Sequence, residues 1–455
     1  MKLAVLGGGG VRSMFLAKSI TQRAKELNID EIVFMDTNEE KLNIFGKMAQ
    51  EVAKRIDKDI LFTLTTDIII AVKNAKYIIT TIRVGGDLKR IDDESIALNN
   101  NVIGQETTGA AGFSFAMRSV PVLARYCDLI KKYSQEDVKV FNFTNPAGVV
   151  SQTLRDMGYE FTYGICDAPS GLLNDFAKIY NVSPSSIVGE CFGLNHLSFF
   201  NSIKIDGKEY LEDIINNSRI YEESEMRYFD KNITKHFGYI INEYLYYFFY
   251  REQALNNILT SPKTRGHLIN DVNIGLIEEL KQYNISKDFD VCLKIFEKWY
   301  NKRESAYMKN ETGITKEKKP FRFDIYSPDL GGYAGVALNF IKAIETKKSI
   351  NMIMCVPNNG SIKDLEDSDV VEITCTIENN DVINHRFLNL NETLLALIKK
   401  VKTYERLASK AIREKDKQTA IDCLFSHPLV NSYSIATKLV NEYLDSNKEY
   451  INGWE

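Results

Sequence analysis

The chain of 455 residues lacks the long apolar runs, the basic surplus and the paired cysteines that mark several classes of protein. No uninterrupted apolar stretch approaches the roughly 18 residues that a membrane span needs, so we expect no membrane protein. The formal net charge of -4 gives no basic footprint for nucleic acid or for an anionic membrane surface. No secretory signal is expected in the opening residues, because one lysine and a short apolar core lead directly into glycine.

Cysteine usage excludes a disulfide framework. The chain has seven cysteines, scattered along its length without a CxxC pair. This pattern predicts a reducing compartment, the cytoplasm. Internal repeats, low-complexity tracts and Pro/Gly-rich linkers are also missing. We therefore expect two halves that pack closely, with a cleft between them.

What the sequence does contain is a regular alternation of apolar strands and helical patterns over its first 170 residues. "KLAVLG", "EIVFMD", "YIITTIRVGG", "VKVFNFTNP" and "FTYGIC" are predicted strands, most of them separated by helical patterns. This alternation predicts βαβ units and a parallel sheet covered on both faces. The fold class is therefore α/β, a Rossmann-like doubly wound parallel sheet followed by a mixed α+β, largely helical second part.

The second part begins near residue 195 with an alternating pattern around Asp206-Gly207, which predicts a hairpin. A mostly helical stretch follows over roughly 208–345. Two further strands are predicted in "NMIMCVPNNGSI" and "DVVEITCTI", on either side of an "NNG" turn. The C-terminal segments are predicted to be helical.

Four consecutive glycines stand where the first strand turns into the first helix: Gly7, Gly8, Gly9 and Gly10. Without a Cβ the backbone can turn tightly there and approach a pyrophosphate at the helix N-terminus. Asp36 ends the second strand, where a carboxylate can bind ribose hydroxyls and disfavours a 2′-phosphate. Arg12 departs from the usual GxGxxG motif, which has a small residue at that place. We predict an NAD-binding domain over 1–195 and a substrate-binding, catalytic α+β domain over 196–455.

A cysteine and a histidine follow the predicted sheet. Cys166 ends the strand "FTYGIC", and His196 ends the turn "GLNH". A thiolate and an imidazole suit a divalent transition metal, with water and substrate oxygens in the open positions. A buried cysteine and an ordinary core histidine are the alternative interpretation.

The order of several motifs resembles family 4 of the glycoside hydrolases, which are NAD- and divalent-metal-dependent glycosidases. These motifs are "GGGG", "RVGG", "GQET", "NFTNPAG", "GICDAP", "GLNH", "PNNGSIKDLEDSDVVEI" and "SHPLV". The resemblance covers nearly the whole chain. It implies a redox-assisted elimination: NAD takes hydride from C3 of the sugar, a base removes the C2 proton, the glycosidic oxygen leaves C1, and water and hydride then add back.

The resemblance also implies roles for individual residues. It makes Cys166 and His196 the ligands of a divalent metal, Mn²⁺ being the expected ion. It nominates Tyr244 in "NEYLYYFFY" as the base, with Tyr246 and Tyr247 as alternatives. Asp167 is either the acid that protonates the leaving oxygen or a partner of the metal site. Residues at the substrate-binding positions of the family are Arg90, Asn145 and Arg265.

Within the family, the glycine stretch and Tyr239 resemble the 6-phospho-β-glucosidase branch, whereas "CDAP" resembles α-acting members. The expected substrate is a phosphorylated sugar, and the resemblance implies a homodimer or homotetramer. A 6-phospho-α-glucosidase or an α-galactosidase is the alternative within the family. A plain NAD-dependent hydroxy-acid dehydrogenase is the alternative from another class, and a sugar-phosphate or NAD sensor without catalysis is a third.

Overall fold

A computed structural model describes residues 1–315, 320–328 and 334–454. Within these ranges the chain forms thirteen β-strands. They are β1 (Lys2–Leu6), β2 (Glu31–Met35), β3 (Leu61–Thr65), β4 (Ala75–Thr80), β5 (Lys139–Asn142), β6 (Thr162–Gly164), β7 (Ile187–Leu194), β8 (Leu197–Ile205), β9 (Lys208–Glu209), β10 (Ile240–Ile241), β11 (Ile350–Pro357), β12 (Val370–Glu378) and β13 (Asp381–Asn384).

The same ranges contain twenty α-helical segments, several of them a single turn. They are α1 (Ser13–Arg23), α2 (Glu39–Lys41), α3 (Lys47–Ile56), α4 (Ile68–Val72), α5 (Gly86–Asn99), α6 (Gly109–Tyr133), α7 (Ala147–Asp156), α8 (Ala168–Tyr180), α9 (Leu211–Asn216), α10 (Ile220–Glu223), α11 (Lys231–Phe237), α12 (Tyr246–Phe249), α13 (Arg251–Thr260), α14 (Arg265–Leu280), α15 (Phe289–Ser305), α16 (Lys309–Thr312), α17 (Gly335–Thr346), α18 (Glu392–Glu414), α19 (Lys417–Ser426) and α20 (Tyr433–Ser446). A π-helical turn, Leu42–Gly46, joins α2 to α3. No described helix is long and apolar enough to pass through a bilayer.

Nine strands form one sheet in the order β13-β12-β11-β6-β5-β4-β1-β2-β3. The six strands from β3 to β6 run parallel, which confirms the Rossmann-like prediction. Their order, 3-2-1-4-5-6, is that of a dinucleotide-binding sheet, with the switch point between β1 and β4. All five residues of β1 are buried, as a strand covered on both faces requires.

The C-terminal half returns to this sheet. Strand β11 pairs antiparallel with β6 and β12, and β12 pairs with β13. The two predicted strands of this region are therefore confirmed, and they extend the first sheet rather than forming one of their own. The pattern of apolar residues in a strand does not show which strand it pairs with, so this pairing could not be predicted from the sequence.

A second sheet contains β10, β8 and β7 in that order, with β9 paired to β8. Strands β8 and β9 form the predicted hairpin, in which Asp206 and Gly207 both have positive φ. The predicted domain boundary at 195/196 falls in the turn between β7 and β8. The predicted helical stretch over 208–345 contains α9 to α17; its parts at 316–319 and 329–333 lie outside the described residues.

Candidate active site

A cleft of about 970 Å³ opens at the carboxyl edge of the parallel strands, where α/β sheets bind ligands. Both halves of the chain contribute to its walls, as predicted for two closely packed halves. All but one of the residues first assigned a catalytic, cofactor-binding, metal-binding or substrate-binding role line it: Gly7, Gly9, Gly10, Asp36, Arg90, Asn145, Cys166, Asp167, His196, Tyr244 and Arg265. The exception, Gly8, lies against Phe34 of β2, where a Cβ would collide with that side chain.

The glycine turn is held tightly against the sheet. The backbone N–H groups of Gly7 and Gly8 both donate to the carbonyl oxygen of Met35, each at 2.8 Å. Gly7 has a φ of 103°, and a Cβ there would collide with the carbonyl oxygen of Thr81. Only glycine tolerates both conditions, so this turn brings bare backbone to the wall of the cleft at the start of α1.

Asp36 closes the turn from the end of β2. Its Oδ2 accepts a hydrogen bond from the Gly9 N–H at 2.9 Å, and its Oδ1 accepts one from the Asn38 N–H at 2.9 Å. A carboxylate has about four lone-pair positions, so each oxygen can still accept a ribose hydroxyl.

Cys166 and His196 meet at the wall of the same cleft. Cys166 follows β6, His196 lies in the turn between β7 and β8 with a φ of 63°, and the distance from Cys166 Sγ to His196 Nε2 is 3.5 Å. Burial lowers the pKa of His196 to about 3, so the imidazole is neutral and keeps a lone pair. Burial raises the pKa of the Cys166 thiol, an effect that the N–H of Ala168 at the start of α8 opposes.

This pair fits a transition metal by its chemistry, since sulfur and imidazole nitrogen are soft to borderline ligands. A bound cation would favour the thiolate over the thiol, against the effect of burial. Within the described part of the chain no third His, Cys, Asp or Glu completes a cluster with them. The remaining positions would therefore be open to water and substrate oxygens, as in a catalytic rather than a structural site.

The ring of Tyr244 stacks on the ring of His196. The Tyr244 hydroxyl is 3.4 Å from that of Tyr307. Burial and the neighbouring Glu243 raise the pKa of Tyr244, so its phenol is neutral unless a cation is close. Two other tyrosines were alternatives for the base. Tyr247 also lines the cleft, but its hydroxyl donates to Glu311, and Tyr246 is buried and does not line the cleft.

Asp167 precedes α8 and is half-exposed, with Oδ2 4.0 Å from Nη1 of Arg12.

Arg90 is buried and paired with two carboxylates: its Nε donates to Glu94 at 2.8 Å, and its Nη1 is 3.2 Å from Glu106. Although burial opposes ionisation, the charges of Arg83 and Arg90 keep the pKa of Glu106 below its usual value. The positive charge of Arg90 is therefore balanced by Glu94 and Glu106 at the cleft wall.

Two sequence models of one enzyme family match the chain. Residues 2–182 match "Family 4 glycosyl hydrolase", and residues 191–430 match "Family 4 glycosyl hydrolase C-terminal domain". The chain belongs to glycosyl hydrolase family 4.

Relatives in family 4 match over their full lengths. The 6-phospho-beta-glucosidase BglT of Thermotoga maritima is 31% identical over 460 residues, which cover 99% of both chains. A structure of the 6-phospho-beta glucosidase from Thermotoga maritima with manganese, NAD+ and glucose-6-phosphate superposes with a TM-score of 0.81 and 28% identity, over 99% of this chain and 100% of that one. The phospho-alpha-glucosidase PagL of Clostridium acetobutylicum is 23% identical, over 99% of this chain and 98% of its own.

The structure adds one arginine, Arg303, that neither the family motifs nor the sequence pattern indicated. Arg303 on α15 lines the cleft with Arg12 and Arg265, and its carbonyl oxygen accepts from Nη1 of Arg265 at 3.0 Å. Burial, together with the charges of Arg12 and Arg265, lowers the pKa of Arg303 to about 10. Its two neighbours did have a signal in the sequence, since the resemblance gave Arg265 as a substrate-binding residue and Arg12 stands where the glycine motif departs from its usual form.

Proposed function

We propose that this family 4 chain hydrolyses 6-phospho-β-glucosides with the help of NAD and a divalent cation. One observation supports this most directly: Cys166, His196 and Tyr244 form one wall of the cleft that the glycine turn also lines. A relative 31% identical over the full length is a 6-phospho-beta-glucosidase.

The two cofactors would bind to different residues of this cleft. The glycine turn and Asp36 would hold NAD, and Cys166 with His196 would hold the cation, for which Mn²⁺ is our choice. When bound, NAD supplies a hydride acceptor and the cation a Lewis acid, which together acidify the C2 hydrogen of a pyranose ring.

Two residues of the chain would move protons. Tyr244 Oη takes the C2 proton, because its ring lies directly against His196 and a cation there would lower the pKa that burial has raised. Asp167, next to Cys166 and close to Arg12, protonates the leaving oxygen. Asn145 lines the same cleft and would bind sugar hydroxyls.

A sugar phosphate would bind at the arginines. Besides burial, the charges of Arg12 and Arg265 lower the pKa of Arg303, and the charge of Arg90 lowers that of Arg265, so a dianion among these groups relieves a repulsion that the free protein retains. Guanidinium groups bind phosphate oxygens through paired N–H donors.

The β anomer is our first choice because the β-acting relative is more similar than the α-acting one, at 31% against 23% identity. The α-acting alternative is supported by "CDAP", which includes Asp167. Tyr239, which resembles the β branch, packs against Phe192 in the core rather than lining the cleft, so it would act indirectly.

The test is hydrolysis of aryl 6-phospho-β- and 6-phospho-α-glucosides with NAD and Mn²⁺, with and without a chelator. We expect cleavage of the β anomer that stops on chelation and leaves no net NADH. NADH accumulation with hydroxy acids and no chelator effect would indicate a dehydrogenase instead. Cys166→Ser should lose the Mn²⁺-dependent rate, whereas Cys127→Ser, in a buried position of α6 outside the cleft, should retain it.

We also infer a reducing compartment, the cytoplasm, because all seven cysteines are free thiols. A homodimer or homotetramer, as the resemblance implies, would be tested by light scattering of the purified chain.

A further inference from the structure

A buried carboxylate lies behind the wall that carries His196 and Tyr244. Glu372 on β12 is 1% exposed, and both of its oxygens accept hydrogen bonds from the other sheet. Oε1 accepts from Asn195 Nδ2 at 2.9 Å, and Oε2 accepts from Ser198 Oγ at 2.8 Å. Asn195 and Ser198 flank the turn between β7 and β8, so Glu372 connects the large sheet to both sides of His196.

The same network continues to the tyrosine. Ser198 Oγ accepts from Asn242 Nδ2 at 3.3 Å, and the Asn242 backbone N–H donates to the Ser198 carbonyl at 3.0 Å. Asn242 Oδ1 in turn accepts the backbone N–H of Tyr244 at 3.0 Å. Each hydroxyl and amide here has a consistent direction of donation, from Tyr244 through Asn242 and Ser198 to Glu372.

His196 needs such support because it occupies the left-handed backbone region, with a φ of 63°, which few residues other than glycine adopt without cost. The stack of Tyr244 on His196 adds a second requirement, because a shift of either ring displaces the other. The network has two arms: one runs from Glu372 to Asn195 beside His196, and the other runs through Ser198 and Asn242 to Tyr244. Because Glu372 accepts a hydrogen bond from each arm, it can hold both the His196 turn and the Tyr244 ring in place.

We propose that Glu372 is a positioning residue that holds His196 and Tyr244 in register as one unit. This role rests on the proposed function, in which these two residues bind the cation and remove the C2 proton. Partners of this kind orient metal ligands, and their removal typically costs about 10- to 100-fold in metal affinity or activity.

The first experiment is Mn²⁺ titration of the full chain followed by the electron paramagnetic resonance signal of free Mn²⁺. It is run at pH 8, above the pKa of about 7 to which burial raises Glu372. Glu372→Gln keeps the size of the side chain but directs an amide donor at Asn195 or Ser198, so we expect Mn²⁺ affinity to fall by about 10- to 100-fold.

Thr374→Val is the matched control. Thr374 lies two residues along β12, is 1% exposed, and also bonds to β7, through the Cys191 N–H and the Gly189 carbonyl. It therefore also joins β12 to the second sheet but does not reach the His196 turn, and its variant should bind Mn²⁺ like the wild type.

The second experiment separates the two arms by the C2-deuterium isotope effect on kcat/KM with an aryl 6-phospho-β-glucoside. Asn195→Ala should weaken Mn²⁺ binding, Asn242→Ala should raise the isotope effect, and Glu372→Gln should do both. These variants also keep the proposal testable if Glu372→Gln does not fold.

A folded Glu372→Gln protein with wild-type Mn²⁺ affinity and isotope effect would overturn the proposal, as would equal losses in Thr374→Val. If the wild type cleaves no 6-phosphoglucoside, the proposed function is wrong, yet the Mn²⁺ titration still decides whether Glu372 supports His196.

Discussion

The rings of Tyr244 and His196 are stacked, with centroids 3.9 Å apart and 11° between their planes. A phenol in this position has its orientation set by the same imidazole that lies 3.5 Å from the Cys166 thiol. In the proposed function, the stack therefore joins proton removal and cation binding in a single arrangement, in which the hydroxyl and the ring of Tyr244 have separable roles.

That separation leads to the first prediction. Tyr244→Phe keeps the stacked ring and removes only the hydroxyl, so Mn²⁺ affinity should be unchanged. Hydrolysis should slow by roughly 10²- to 10⁴-fold, the usual contribution of a general base. Steady-state kinetics with an aryl 6-phospho-β-glucoside measures this. Tyr247→Phe, which loses only a hydroxyl bonded to Glu311, should change the rate far less; the reverse order would assign the base to Tyr247.

The second prediction concerns the substrate phosphate. Arg303→Gln removes one of the three guanidinium groups that we propose bind the phosphate, so KM for the 6-phosphoglucoside should rise. A hydrogen bond to a charged group contributes about 1.5–3 kcal/mol, which corresponds to roughly 10- to 150-fold in KM. The matched control is Lys302→Gln, an exposed neighbour that lies over Trp299. A similar rise in KM for both variants would mean that Arg303 acts through general charge alone.

Arg303 shows where prediction from the sequence ends. The glycine turn, Asp36, Cys166 and His196 could be recognised because a strand end or a turn fixes the place of each along the sheet. Arg303 belongs to an amphipathic helix in which an arginine is ordinary, and only the packing of α15 against the N-terminal half brings it to the cleft. Glu372 is similar: its strand was predicted, but the pairing of β11 and β12 with the first sheet is a long-range event without a local signal.

The third prediction concerns the choice of dinucleotide. The Asp36 carboxylate should repel a 2′-phosphate, so the wild type should bind NAD and discriminate against NADP. Asp36→Ser should reduce this preference by roughly 10- to 100-fold, the range expected for a charged hydrogen-bond acceptor. Calorimetric titration with both dinucleotides measures it, and Asp59→Ser, an exposed carboxylate near the end of α3, serves as the control. If Asp36→Ser and Asp59→Ser discriminate equally between NAD and NADP, Asp36 does not contact the ribose.

The last prediction follows from a histidine outside the cleft. His427 is 0% exposed; its Nδ1 accepts the Leu429 N–H, so Nε2 carries the proton and donates to Thr108 Oγ1 at 3.0 Å. Thr108 directly precedes α6 and follows residues of the "GQET" loop that line the cleft. Protonation of this imidazole would place a charge among buried groups at the base of that loop.

Burial lowers the pKa of His427 from 6.5 to about 3, so the folded state binds this proton less tightly than the unfolded state. The stability that neutral His427 confers is therefore complete above pH 6.5 and is lost as the pH falls towards 3. By about pH 5 the loss should reach about 2 kcal/mol. His427→Gln should be less stable at pH 8 yet show a flatter profile from pH 7 to 5 in urea unfolding, whereas His236→Asn, an exposed histidine, should follow the wild type. Parallel profiles for the wild type and His427→Gln would show that other buried groups govern the acid response.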